Sequence, residues 1–300
     1  MVRFTTDGLD FMKSLSKMIA LTGVVMVAGC LATSMASAYK EAEAGTAVVE
    51  GKITFKGKPP APMRFRLTKF PNSTFCSQVD TDQQGNRALQ QVNVTHGTLQ
   101  DVVVYIQNIA RGKPFKFNGT DVKISLCRLL VQDGSSTFVG VVVNGADIRI
   151  LNDDADPSDP KAAKGVLYHP HAYEVVDGRS RTMFDLPLPD KGQVITQPVI
   201  LREKGSMMKL QSDRQQFMEA YFYPVENPYY AIVGSVGTYE IDQVPPGKYD
   251  LIAWHPILGT QEKEIEVGAT GKVTVNFEFS IFTRRRFVSP STPLLRGRIR

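Results

Sequence analysis

The chain has 300 residues, 42% of them hydrophobic and 22% charged, with a formal charge of +5. That is an ordinary globular composition with length for about two domains and a buried core. Six arginines (Arg284, Arg285, Arg286, Arg296, Arg298, Arg300) and a leader of net +1 leave about −2 for the middle, which excludes a basic nucleic-acid-binding surface there.

Residues 1–38 read as a signal peptide. Lys13 and Lys17 supply the positive start. Met18 to Gly29 is an uncharged run of 12 residues, too short to span a bilayer. Two cleavage patterns compete. Val27-Ala28-Gly29-Cys30 resembles a bacterial lipobox, with Cys30 the lipidation candidate, and Ala36-Ser37-Ala38 is an A-x-A site. Either one sends the chain out of the cytoplasm, to the periplasm or outer membrane. In that oxidising setting Cys76 and Cys127 form a disulfide by default. The alternative, two thiol ligands, lacks close ligand spacing.

Strand-like runs follow in chain order. Ala47 to Phe55 is closed by Gly57 and Pro59-Pro60. Leu99 to Ile106 (LQDVVVYI) has the look of a buried strand. Thr137 to Val143, Asp147 to Leu151, Thr182 to Leu186, Val194 to Leu201, Met207 to Leu210 and Glu219 to Tyr223 come next. Gly237 to Ile241, Tyr249 to Trp254, Glu262 to Val267 and Lys272 to Phe279 close the series. Short strands separated by Gly/Pro turns predict an all-β protein built from sandwiches. The stretches 80–97 and 152–165 are expected to be exposed loops. In Val244-Pro245-Pro246-Gly247, which reads as a rigid turn, proline fixes φ and glycine is free to take a positive φ. The basic tail, 283–300, is expected to be disordered or to dock on an acidic partner or anionic membrane.

The VPPGKY…AWHP close and the Val49–Phe55 strand with Gly57-Lys58-Pro59-Pro60 resemble the two halves of a carboxypeptidase-regulatory (transthyretin-like) sandwich. Between them lie Cys127, Asn152-Asp153, His171-Ala172-Tyr173-Glu174, Thr182-Met183-Phe184-Asp185 and, near the close, Asn227-Pro228-Tyr229-Tyr230-Ala231. In this order the pieces are similar to exported bacterial proteins that set a cupredoxin-like domain against a carboxypeptidase-regulatory-like domain. The resemblance implies a cupredoxin-like sandwich inserted in, or packed on, a transthyretin-like one. Residues 46–112 would form the opening half, 113–226 the cupredoxin-like domain and 227–282 the closing half.

The family's type 1 copper site needs two imidazoles, a thiolate and a weak axial methionine. The resemblance places those ligands at Tyr168, Ser212, Gln215 and Met218, so only the weakest survives and no copper cofactor is expected. Phe217 and Met218 then read as core residues. His169 and His171 share a face at i and i+2 in an extended segment and are alternative metal ligands, with Asp153 or Asp154 as partner. Asp154, Asp156 and Asp159 are a weak calcium candidate without EF-hand spacing. Trp254-His255 is expected to pack one module on the other. No nucleophile motif and no phosphate-cradling motif occurs.

The expected function is therefore a non-enzymatic cell-envelope scaffold or accessory subunit. The relatives suggest an exported electron-transfer complex as partner, such as multihaem cytochromes, with a lipid anchor holding it to the membrane. A carbohydrate- or polymer-binding module is the first alternative and needs an exposed row from Tyr221, Tyr223, Tyr229 and Tyr230. A metal-binding redox protein with a rearranged site is the second, and needs His169, His171 and Met218 to converge.

Overall fold

The structure, a computed structural model, describes residues 39–132 and 135–281. The leader with Cys30 and the arginine tail lie outside the described residues. Within them the fold is all-β; the α-helix is a single four-residue turn, Ser73–Cys76.

Two sandwiches share the chain. The inserted one has a sheet ordered Leu129–Val131, Thr120–Ile124, Asp147–Asn152, Val194–Pro198. Its other sheet runs Val139–Val142, Glu219–Pro224, Met207–Ser212, Pro170–Val176, Arg179–Asp185. Period-2 alternation fills the space between them. Val122, Ile124, Ile148 and Ile150 face Ala172, Met208, Leu210 and Phe222 in one core. The outer sandwich packs the sheet Tyr230–Val233, Val102–Gln107, Gly247–His255, Gly259–Val267 against Ala47–Phe55 and Thr238–Val244. Val49, Ile53, Val104, Ile106, Leu251 and Ala253 lie in its core. Residues from either side of the insertion thus build a single core.

The sandwiches meet through the apolar outer face of Val102–Gln107. Val103 and Tyr105 pack with Val139, Val141, Tyr221, Val225 and Trp254. The Tyr223 ring lies 5.1 Å from Trp254 and 6.1 Å from Tyr105. Asn227 Nδ2 donates to the Tyr105 hydroxyl at 2.9 Å, so the buried phenol is satisfied. Trp254 therefore joins the two modules as expected, whereas His255, expected to do so with it, lies beside Phe279 of the outer sandwich.

Three local expectations need correction. Residues 63–89 do not stay with the outer sandwich. Met63–Arg66 pairs with Asn86–Leu89, and Leu67, Phe75 and Cys76 are buried in the inserted core. Neither of the expected loops is simply exposed, since Arg87 is buried in the first and Asn152 and Asp154 in the second. A buried guanidinium needs acceptors on all sides. Arg87 finds them for its two terminal nitrogens in the carbonyls of Cys127 (2.5 Å), Val79 (3.1 Å) and Cys76, with the Phe217 ring beneath it, while its Nε is buried without a partner among the described residues. In the VPPGKY corner the positive φ falls on Gln243 (56°), at a bulge, and not on Gly247. A Cβ at Gly247 would stand 2.6 Å from the Tyr249 hydroxyl, so that side chain would have to shift. That hydroxyl donates within the corner, to the carbonyl of Pro245 (3.2 Å) or Pro246 (3.3 Å).

Cys76 and Cys127 are joined by a disulfide across 51 residues, as expected. Chain-entropy reasoning puts its contribution at up to about 4 kcal/mol. Cys76→Ser/Cys127→Ser should lower unfolding free energy by about 2–4 kcal/mol in urea melts, and reductant should then have no further effect.

His255 is fully buried beside Phe279. Its Nδ1 accepts from the backbone N–H of Ile257 at 3.1 Å, and burial pushes the imidazole down to about 3. The unfolded chain binds this proton below about pH 6.5 while the folded chain does not. The stabilisation is thus full above about pH 6.5 and is lost as pH falls toward 3, at a slope of at most about 1.4 kcal/mol per pH unit. His255→Asn keeps an acceptor for Ile257, and should reduce the stability lost between about pH 7 and 5 by about 2 kcal/mol in urea melts.

Candidate metal centre

The positions that the resemblance matched to copper ligands all lie on the core side of the inserted sandwich. Tyr168, Ser212, Gln215 and Met218 are 0%, 1%, 0% and 2% exposed. Strand alternation explains Ser212, since Met208, Leu210 and Ser212 face inward. A tight loop follows, closed by Ser212 N–H to the Met218 carbonyl (3.1 Å) and Met218 N–H to the Gln215 carbonyl (2.9 Å).

Each polar group there is turned away from metal binding. Ser212 Oγ donates to Gln215 Oε1 at 2.8 Å. The Gln215 amide nitrogen, a donor that repels a cation, is buried without a partner among the described residues. The Tyr168 hydroxyl donates to Asp154 Oδ2 at 2.6 Å and lies 3.3 Å from Cys127 Sγ. Burial, then the Asp154 carboxylate, pushes that phenol far up and keeps it neutral. Met218 and Phe217 are core residues, as expected; the Phe217 ring meets Phe70 edge-on at 5.3 Å. These side chains offer neither the thiolate nor the imidazoles that a type 1 copper ion requires.

Asp154 has a different task. Its carboxylate accepts from the backbone N–H groups of Leu126 (2.7 Å) and Cys127 (3.0 Å). Those residues take left-handed φ values of 52° and 56°, so the carboxylate holds a turn that carries one end of the disulfide. Asp153 pairs with Lys123 at 2.7 Å and Lys191 at 3.7 Å, which lowers its pKa, the Lys123 contact first. Neither aspartate is therefore available to the histidines as expected. Nor do the calcium candidates converge: Asp156 accepts from Ser158, and Asp159 from the Lys161 backbone.

His171 lies on the opposite face of its strand from the core. Pro170, Ala172, Glu174 and Val176 point inward, while His171 and Tyr173 point out. It therefore does not converge with Met218. Its neighbours were not legible as ligands in the sequence. His171 Nδ1 stands 2.8 Å from Asp213 Oδ2 and 2.7 Å from the Tyr173 hydroxyl; its Nε2 is 2.9 Å from Thr182 Oγ1. The His171 and Tyr173 rings stack at 3.9 Å. His169 Nδ1 is 3.7 Å from Asp185 Oδ1. Donor atoms of His171, Asp185 and Asp213 lie within 4.8 Å of one another.

Hairpin register explains this meeting. The Asp177-Gly178 turn, with both φ values positive, joins Pro170–Val176 to Arg179–Asp185. Counting back from it would oppose Phe184 to His171. A bulge between Ala172 and Tyr173 shifts the pairing by one and brings Asp185 opposite His171.

The inner face of the same strand is anchored by Glu174. Burial alone would raise its pKa, but donors from the Glu203 backbone, Arg181, the Arg202 backbone and Ser206 together lower it to about 2.

No protein-family model matches the chain, and no curated protein does. Among solved structures, the reduced Cu(I) form at pH 4 of an amicyanin mutant aligns with 12% identity, over 41% of this chain and 98% of that one. Its TM-score is 0.22, below what a shared fold requires.

Tyr168→Phe would leave Asp154 one donor short in a buried setting. It should cost about 1–3 kcal/mol in urea melts without changing the secondary structure seen by circular dichroism.

Proposed function

We propose that this chain is a non-enzymatic cell-envelope protein. In this reading a cupredoxin-like sandwich without type 1 copper is docked rigidly on a transthyretin-like sandwich. It serves as a scaffold or accessory subunit for an exported electron-transfer complex of the multihaem-cytochrome kind. The observation that carries the reading is the core-side cluster of Tyr168, Ser212, Gln215 and Met218. Three of the four matched ligand positions hold side chains without a metal-binding donor of the required type, and Ser212 and Tyr168 are engaged within the protein.

One surface cleft is lined by Asn108, Lys248, Tyr249, Asp250 and Glu264, and another by residues including Asp121, Lys123 and Arg149. Neither has a histidine, cysteine or serine in its lining. The polymer-binding alternative loses its motivation, because the four tyrosines make no exposed row. Tyr229 is in the outer core, while Tyr221, Tyr223 and Tyr230 pack between the sandwiches.

Rebuilding the site tests this reading. The wild type loaded with Cu2+ and dialysed should show no intense thiolate-to-copper absorption. Tyr168→His/Ser212→Cys/Gln215→His, with Met218 retained, should acquire it. Because Tyr168 also supports Asp154, Ser212→Cys/Gln215→His serves as a milder variant, and a cooperative thermal melt establishes that each is folded. Folded variants without the absorption, or a wild type that has it, would overturn the reading.

A further inference from the structure

Asp185 and Asp213 are two carboxylates on one outer face, and no lysine or arginine pairs with either among the described residues. Their ion-pair partners there are histidines, His169 for Asp185 and His171 for Asp213. Every other surface carboxylate named above that touches a cation touches a lysine or arginine. Two oxygens converge on the His171 Nδ1, Asp213 Oδ2 at 2.8 Å and the Tyr173 hydroxyl at 2.7 Å, and the phenol also hydrogen-bonds Asp213. A cation bound at that nitrogen would accommodate the carboxylate directly.

We infer that His171, Asp185 and Asp213, with His169 as fourth donor, form a binding site for a borderline divalent cation of the Zn2+, Ni2+ or Cu2+ class. Two imidazoles and two carboxylates without thiolate suit these ions, and four donors are too few for calcium. Metal–ligand bonds of ~2.0–2.1 Å place tetrahedral donors ~3.3 Å apart. Three donors already lie within 4.8 Å of one another, and His169, 3.7 Å from Asp185 but outside that group, joins them only by side-chain rotation at an exposed edge. The surrounding groups suit the task. Thr182 Oγ1 at Nε2 can accept the ring N–H, which leaves Nδ1 free to ligate. Tyr173 stacks on the ring and fixes its plane. The donors sit on neighbouring strands, or just past one, with His171 opposite Asp185 on one side and Gln211 on the other. The site lies on the face opposite the copper-like positions, and its existence does not depend on how those are read.

Zn2+ titration of the mature full-length protein, followed by calorimetry and by competition with a chromogenic chelator, tests the inference. One Zn2+ per chain should bind, and chelation should lower the melting temperature. Asp213→Asn and Asp185→Asn alter exposed side chains and should each weaken binding about tenfold or more. Ser212→Ala should leave it unchanged. Cu2+ in the same site should give a nitrogen-coordinated paramagnetic signal without intense visible absorption, whereas a thiolate band would instead contradict the copper-free reading of the core. No saturable micromolar binding, or binding indifferent to both aspartate variants while the proteins remain folded, would overturn the site.

Discussion

The architecture depends on burying one strand on both faces. Val102–Gln107 is almost wholly inaccessible. Its inward residues, Val102, Val104 and Ile106, fill the outer core, and Val103 and Tyr105 are covered by the inserted sandwich. A strand apolar on both sides cannot face water on either without exposing a large patch. The insertion is therefore not a tethered neighbour: it completes the burial of the sheet it interrupts. The same contact uses Tyr221, Tyr223 and Tyr230, three of the four tyrosines that an exposed binding surface would have needed.

A second constraint is polar. The disulfide, Arg87 and Asp154 converge on the Leu126–Cys127 turn. Arg87 caps the carbonyls, Asp154 takes the N–H groups, and Tyr168 completes the Asp154 carboxylate. Buried groups of this kind are stable only when nearly all are satisfied. Tyr168 thus links two facts that look separate in the sequence. It occupies a position matched to a copper ligand, and its hydroxyl supports the turn that holds Cys127. Replacing an imidazole there changes the structural network as well as the metal chemistry.

The two faces of Pro170–Val176 divide the chemistry. Its inner face belongs to the core and to Glu174, which gathers the N–H groups of Arg202 and Glu203 with Arg181 and Ser206. Its outer face presents imidazoles to carboxylates that lack lysine or arginine partners. Period-2 geometry keeps these sets apart by the thickness of the sheet. The metal site proposed for the outer face is thereby independent of what fills the interior.

Much of the fold was legible because it follows from local pattern. The doubly apolar LQDVVVYI run, alternation in Met207 to Leu210 and the paired cysteines specify buried strands, a core face and a disulfide through backbone geometry and redox setting alone. What the sequence could not determine was register and long-range company. Whether Asp185 or Phe184 stands opposite His171 turns on a one-residue bulge, which carries no local signature. That Asp154 holds a turn and Arg87 caps carbonyls depends on segments 27 and 40 residues away in the chain meeting in a dry interior. The sequence by itself determined an all-β chain and the identity of the side chains at the copper-like positions. Tertiary structure alone decided which residues share the core, which tyrosines are hidden between sandwiches, and which carboxylates face the histidines, because those depend on pairings between strands and not on any one strand's pattern.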